Sequence, residues 1–106
     1  MTLVKVGKAG ELKENTGKEI KVGNKRIAVF YANGRYYAID ALCRHQDGSL
    51  APGKVEGEIV ECPLHSWHYN IRTGQLLDYV DGVKLSTYEI KTIDDQLYLE
   101  VDRSRL

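Results

Sequence analysis

No segment of this sequence approaches the roughly twenty consecutive apolar residues that a membrane-spanning helix requires. The opening Met1-Thr2-Leu3-Val4-Lys5-Val6 carries no long apolar run either. No membrane span is expected, and the protein is expected to be soluble and cytoplasmic. Charge of one sign is also missing. Fifteen Lys plus Arg balance fifteen Asp plus Glu, and the longest basic contact is the pair Lys25-Arg26. A phosphate backbone demands a basic stripe, so nucleic acid is excluded as a partner. Cysteine is scarce, with only Cys43 and Cys62 present, which rules out a disulfide framework and suits a reducing compartment. A lone Cys43–Cys62 disulfide satisfies the count but leaves the neighbouring histidines without a purpose. Internal repeats, low-complexity tracts and linkers are lacking as well. At 106 residues and 42% hydrophobic content, the chain is expected to form one domain over residues 1–106, with an ordinary core and no second catalytic unit.

What the chain does contain is concentrated between Cys43 and His65. Cys43-Arg44-His45 is followed by sixteen residues and then Cys62-Pro63-Leu64-His65. Each short element offers one soft thiolate and one imidazole, so two loops brought tip to tip present two sulfur and two nitrogen ligands around one point. Two metals compete for such a set. Zinc accepts Cys2His2, but its finger pairs Cys with Cys through a two-to-four-residue spacer and His with His three to five residues apart. Here each loop mixes the types. A 2Fe-2S cluster with thiolates on one iron and imidazoles on the other takes one ligand of each kind from each loop. Within the spacer, Ser49-Leu50-Ala51-Pro52-Gly53-Lys54 is a connector whose Pro and Gly are turn formers.

Turn chemistry sets the expected architecture. Gly23-Asn24 separates Lys18–Val22 from Lys25–Phe30, and Asn33-Gly34 separates that run from Arg35–Ile39, predicting two successive hairpins. A third follows at Asp94-Asp95, between Tyr88–Lys91 and the alternating Leu97-Tyr98-Leu99-Glu100-Val101. Gly57–Glu61 leads into the second Cys/His loop, and Tyr69–Ile71 and Gln75–Leu77 bracket a return at Thr73-Gly74. One helical turn is expected around Ala9–Glu14, and no long helix. Seven Tyr against one Phe fit half-buried strands. The fold class is therefore all-β: a base sandwich of short antiparallel strands with a metal-binding subdomain inserted at about residues 42–78.

The pattern Cys-x-His, sixteen residues, Cys-x-x-His, continuing as Cys62-Pro63-Leu64-His65-Ser66-Trp67 with Thr73-Gly74 beyond it, resembles the Rieske ferredoxin family over nearly the whole chain. The resemblance implies one 2Fe-2S cluster per chain, with Cys43 and Cys62 binding one iron and His45 and His65 the other. Two ferric ions, two sulfides and two thiolates sum formally to zero, so an added electron meets less repulsion than in an all-cysteine cluster. The family accordingly lies at roughly −150 to +300 mV, against about −400 mV for plant-type clusters. High-potential relatives carry an extra cysteine pair where this chain has Gly48 and Leu64, and a serine where it has Trp67. Tyr69 matches the family's tyrosine. A low potential within the range is expected. The proline-rich loop that covers the cluster in the family corresponds here to Asp78–Val83, which has no proline.

The resemblance also implies a function: a one-electron carrier, not an enzyme, that accepts electrons from a flavin-containing reductase and passes them to a terminal oxygenase or reductase. Docking is expected at the ligand tip near His45, His65 and Leu64, with Gln46 and Ser66 beside them. Two alternatives belong to other classes: the small subunit of a larger reductase such as nitrite reductase, and a non-redox zinc-binding interaction module. A complete Rieske oxygenase is excluded because its mononuclear iron site needs two further histidines and a carboxylate, and only His68 remains, read as a surface or partly packed residue.

Overall fold

The structure is a computed structural model that describes residues 2–8, 10–23, 25–42, 49–62, 67–77 and 82–101. Its described residues form β1 (Thr2–Lys8), β2 (Thr16–Val22), β3 (Lys25–Ala32), β4 (Arg35–Asp40), β5 (Lys54–Glu56), β6 (Ile59–Glu61), β7 (His68–Asn70), β8 (Thr87–Ile93) and β9 (Gln96–Val101). All pairings between them are antiparallel.

The three expected hairpins are present, and their turns show why. Asn33 and Gly34 hold φ of +53° and +73°, the left-handed pair that a type I′ turn needs, and they set Ala32 opposite Arg35. Gly23, at φ +59°, opens the turn that lays β2 on β3. Asp94 and Asp95 take φ of +50° and +62° without help from glycine; aspartate tolerates that region better than most L-residues.

Two sheets result. Six strands run in the order β1-β9-β8-β4-β3-β2, and three in the order β5-β6-β7. The larger sheet curls towards a barrel. Val4 and Val6 from one edge strand and Ile20 and Val22 from the other contribute to the same core, and Lys18 Nζ donates to Val6 O across 3.4 Å.

Alternation then divides the apolar residues between two layers. Ile27 and Val29 of β3 face an inner core with Ala38, Leu97 and Leu99. Ala28, Phe30 and Ala32 face an outer core shared with Val55, Val60 and Tyr69, the row that register places side by side across β5, β6 and β7. Consequently β3 is buried on both faces, with Ile27, Ala28, Val29 and Phe30 all at 0% exposure. The small sheet rests on the outer side of β3 and β4.

Two local expectations are corrected. The stretch expected to hold a helical turn is a sequence of tight turns instead, and no helix occurs among the described residues. Glu11 N donates to Lys8 O at 3.2 Å and Glu11 Oε1 accepts from Lys8 N at 2.9 Å. Left-handed residues at Gly10 (φ +93°) and Asn15 (φ +63°) interrupt any helical ladder. Residues 2–8, assigned no element from sequence, form β1, with a bulge between Lys5 and Gly7.

Candidate metal centre

Both Cys/His elements leave the same layer of the molecule. The first departs from the end of β4. Ala41 is fully buried in the outer core, and its N–H donates to Arg26 O at 2.8 Å. Leu42 and Ser49 then pair across an antiparallel bridge, and Leu50 N donates to Ala41 O at 2.7 Å. The residues on either side of 43–48 are thus joined in one paired root. Ser49 Oγ accepts from Ala51 N at 3.2 Å, the local turn that starts the connector.

The second element departs from β6. Alternation turns Val60 inward, Glu61 outward and Cys62 inward again, and Cys62 is 1% exposed. Its N–H donates to Trp67 O at 2.6 Å, so the residues on either side of 63–66 are likewise paired. Trp67 packs half-buried against the outer core, which makes it a core aromatic beneath the second element. Tyr69, fully buried, lies one register step further in.

Gly53 holds the two roots together. A Cβ there would collide with Glu61 O and stand 2.9 Å from Leu50 O, so only glycine permits this approach of the connector to β6. β5, which sequence reading leaves inside the connector and its sequel, forms directly after it. Beyond β7, Asn70 Oδ1 accepts from Arg72 N at 2.8 Å and Thr73 N at 3.1 Å, making the return foreseen at Thr73-Gly74. Leu76 N donates to Val83 O at 2.9 Å and Leu85 N to Gly74 O at 2.8 Å, and Val83 packs against the outer core.

Among the expected ligands, Cys62 is therefore placed at a buried root facing the other arm's root. Cys43, His45 and His65 lie outside the described residues, as do Gln46, Gly48, Pro63, Leu64, Ser66 and Asp78–Asp81. His68 is on the opposite face of the small sheet from Tyr69. Its Nε2 stands 3.4 Å from Glu61 Oε1, and both line a shallow cavity of about 110 Å³ with Lys54, Glu56 and Ile59. That position, turned away from the layer of Cys62, agrees with a partly packed surface histidine.

Three polar supports escape sequence reading because only the folded chain brings their partners together. Asp40 accepts from Tyr88 Oη at 2.7 Å and Ser86 N at 3.2 Å, fastening the end of β4 to the start of β8. Glu58 receives Tyr37 Oη at 3.4 Å and faces Arg72 Nε at 3.1 Å, linking the small sheet to the base. Glu19 receives Arg26 Nε and Nη2 at 2.8 and 2.9 Å. Arg26 first, and the Ser49 hydroxyl second, hold the Glu19 carboxyl below its usual range, while Glu19 pushes the Arg26 guanidinium up.

The Rieske 2Fe-2S domain family matches residues 2–89. The chain belongs to the Rieske 2Fe-2S family. This Rieske chain is 32% identical over 83 residues to the ferredoxin component of the naphthalene 1,2-dioxygenase/salicylate 5-hydroxylase systems of Ralstonia sp, covering 78% of the chain and 80% of that relative. Among solved structures, it is similar to the ferredoxin of carbazole 1,9a-dioxygenase from Nocardioides aromaticivorans IC177, with a TM-score of 0.85, 25% identity, and coverage of 93% and 97% of the two chains. A chain in the complex of reduced oxygenase and oxidized ferredoxin in carbazole 1,9a-dioxygenase matches with a TM-score of 0.84 and 28% identity, over 92% of this Rieske chain and 100% of that one.

Family membership implies one 2Fe-2S cluster, and the residues present fit it. A buried cysteine at the root of one arm is a donor of the soft kind such a cluster takes, and the roots of both arms, Ala41 and Leu50 on one side and Cys62 on the other, share one apolar layer. No helix of the described residues is long and apolar enough to cross a membrane.

Proposed function

We propose that this Rieske ferredoxin carries one electron at a time from a flavin-containing reductase to a terminal oxygenase, and that it transforms no substrate itself. Cys43 and Cys62 hold one iron as thiolates, and His45 and His65 hold the other through neutral imidazole nitrogens. When bound, the cluster supplies a one-electron site of low potential within the Rieske range. The observation that carries this reading is the burial of Cys62 at a root packed in the same layer as the root of the segment bearing Cys43 and His45. Residues about 42–78 make the cluster-binding part and the rest of the single 1–106 domain makes the base, in the cytoplasm.

The chain's own residues act by holding and shielding. Ala41, Leu50, Tyr69 and Trp67 exclude water from the inner side of the site, which strengthens electrostatic interactions there. The pairs Leu42–Ser49 and Cys62–Trp67 fasten the roots of both arms. Docking at the tip near His45, His65 and Leu64 suits a small, short-lived interface. The naming of oxygenase systems among relatives, and of an oxygenase–ferredoxin complex among similar structures, supports the oxygenase as the acceptor.

Electron paramagnetic resonance of the dithionite-reduced protein, with metal analysis of the same sample, tests this reading. About two irons per chain and an average g-value below that of all-cysteine clusters are expected; a silent sample with one zinc per chain would replace the carrier with a zinc module. Leu64→Glu is then expected to slow electron transfer to the oxygenase with the absorption spectrum intact.

A further inference from the structure

The turn Leu50-Ala51-Pro52-Gly53 touches three separate parts of the fold. At its start, Leu50 N donates to Ala41 O at 2.7 Å, just past the end of β4, and Gly53 N closes the turn on Leu50 O at 2.9 Å. At its end, a Cβ on Gly53 would collide with Glu61 O and stand 2.9 Å from Val60 Cγ2, so the turn lies directly on β6. The pairing of Lys54 with Glu61 puts Gly53 one step further along, across from Cys62. In its middle the turn meets β2. A Cβ on Gly17 would stand 2.7 Å from Ala51 O, and 2.5 and 2.6 Å from two ring carbons of Phe30. Phe30, Leu50, Ala51 and Cys62 all belong to one buried layer.

Room for the Phe30 ring, which lies opposite Gly17 in the β2–β3 ladder, is the simpler account of this glycine. It covers only part of the space. Ala51 O is backbone, held by the bond from Leu50 to Ala41 on one side and by the contact of Gly53 with β6 on the other. It cannot give way without carrying the turn along. Backbone conformation does not ask for glycine either, because Gly17 is not among the residues with positive φ. Glycine weakens a strand interior, and one found there marks a close approach. In a close-packed layer a displacement is passed on to the next neighbour, and beyond this turn that neighbour is Glu61, the residue before Cys62.

We propose that Gly17 is a positioning residue for Cys62: its missing side chain lets the Leu50–Gly53 turn fit between β2 and β6, and so sets how far the Cys62 root stands from the base. This rests on the assignment of Cys62 as an iron ligand. Gly17 itself lies in the base and acts only through the turn.

The test compares the cluster-loaded protein with Gly17→Ala, Phe30→Leu, the double variant Gly17→Ala/Phe30→Leu, and Gly7→Ala. Iron content, paramagnetic resonance of the reduced form, midpoint potential and amide hydrogen exchange are read for each. Phe30→Leu removes the ring, so in the double variant the added methyl meets Ala51 O without the ring clash. Gly7→Ala puts the same methyl on β1, where it meets only the Glu11 carboxylate, a side chain that can move. Gly17→Ala is expected to alter the g-anisotropy and to shift the potential by the equivalent of about a two- to threefold change in the oxidised-to-reduced ratio, or ~20–30 mV at about 59 mV per tenfold. The double variant should show the same shift relative to Phe30→Leu, and Gly7→Ala should match wild type. Iron loss from the double variant, with Phe30→Leu loaded and β3 and β4 still protected from exchange, also supports the proposal. Where Gly17→Ala does not fold, the comparison of the double variant with Phe30→Leu decides. A double variant indistinguishable from Phe30→Leu overturns the proposal, because the ring alone would then need the glycine. So do an unchanged signal and potential in a fully loaded Gly17→Ala, an equal shift in Gly7→Ala, or a double variant that loses protection throughout β3 and β4. Wild-type protein without two irons and a mixed-ligand signal sinks the ligand assignment itself, a failure visible before any variant is compared.

Discussion

The two sheets are built of the same kind of strand pairing but stand on different supports. In the six-stranded sheet, strands of six to eight residues close around their own apolar core. The three-stranded sheet has strands of only three residues, and its buried row of Val55, Val60 and Tyr69 shares a core with the outer face of β3 and β4 and with connecting residues such as Leu50, Ile71 and Leu85. A sheet that short is marginal by itself. The small sheet therefore borrows much of its order from the base beneath it.

Cys62→Ala should divide the two regions most sharply. Iron loading and visible absorption are expected to be abolished, while hydrogen exchange accelerates across residues 54–77 and stays slow in β2, β3 and β4. Equal loss of protection in both regions would show one cooperative unit and remove the distinction. Phe30→Ala attacks the shared strand instead. Phe30 is fully buried, and truncation is expected to cost about 3–5 kcal/mol in chemical denaturation, with both sheets losing protection together because β3 supports each.

Smaller changes test the ties between the regions. Tyr37→Phe removes the hydroxyl that reaches Glu58 at 3.4 Å, a long bond, so a loss of about 0.5 kcal/mol is expected. Faster exchange should appear in the small sheet only; faster exchange in β3 would show that Tyr37 matters to the base. The smallest effect concerns pH. The folded Glu19 carboxyl lies below its ordinary value of 4.5, so its ionised form is favoured by folding. The resulting stability is present above the ordinary value and disappears as pH falls through the lowered folded value. Thermal unfolding of wild type and Glu19→Gln should accordingly differ slightly at neutral pH and converge in acid; a gap that widens in acid would contradict the role given to Arg26.

Hairpins and the family pattern were legible along the chain because each is written in a few adjacent residues. Asn33-Gly34 and Asp94-Asp95 fold where their left-handed propensity places them, and Cys62 lies at a root as its motif implied. β1 and β5 were not legible. Val4 and Val6 alternate over too short a span to declare a strand, and Lys54-Val55-Glu56 has no pattern at all until β6 pairs with it. The helical turn expected near Leu12 failed because Gly10 and Asn15 take left-handed backbone, a choice made by the turn they complete.

By itself the sequence determined the Rieske family pattern, the all-β class and the positions of the tight turns, since side-chain chemistry and local backbone preference act over two to five residues. Only the tertiary structure decided which face of β3 supports the small sheet, that Gly53 must lie against Glu61 and Leu50, and that Asp40 meets Tyr88 and Ser86. Those outcomes depend on contacts between residues brought together from distant parts of the chain. Such contacts exist only once the strands have paired and the two cores have filled.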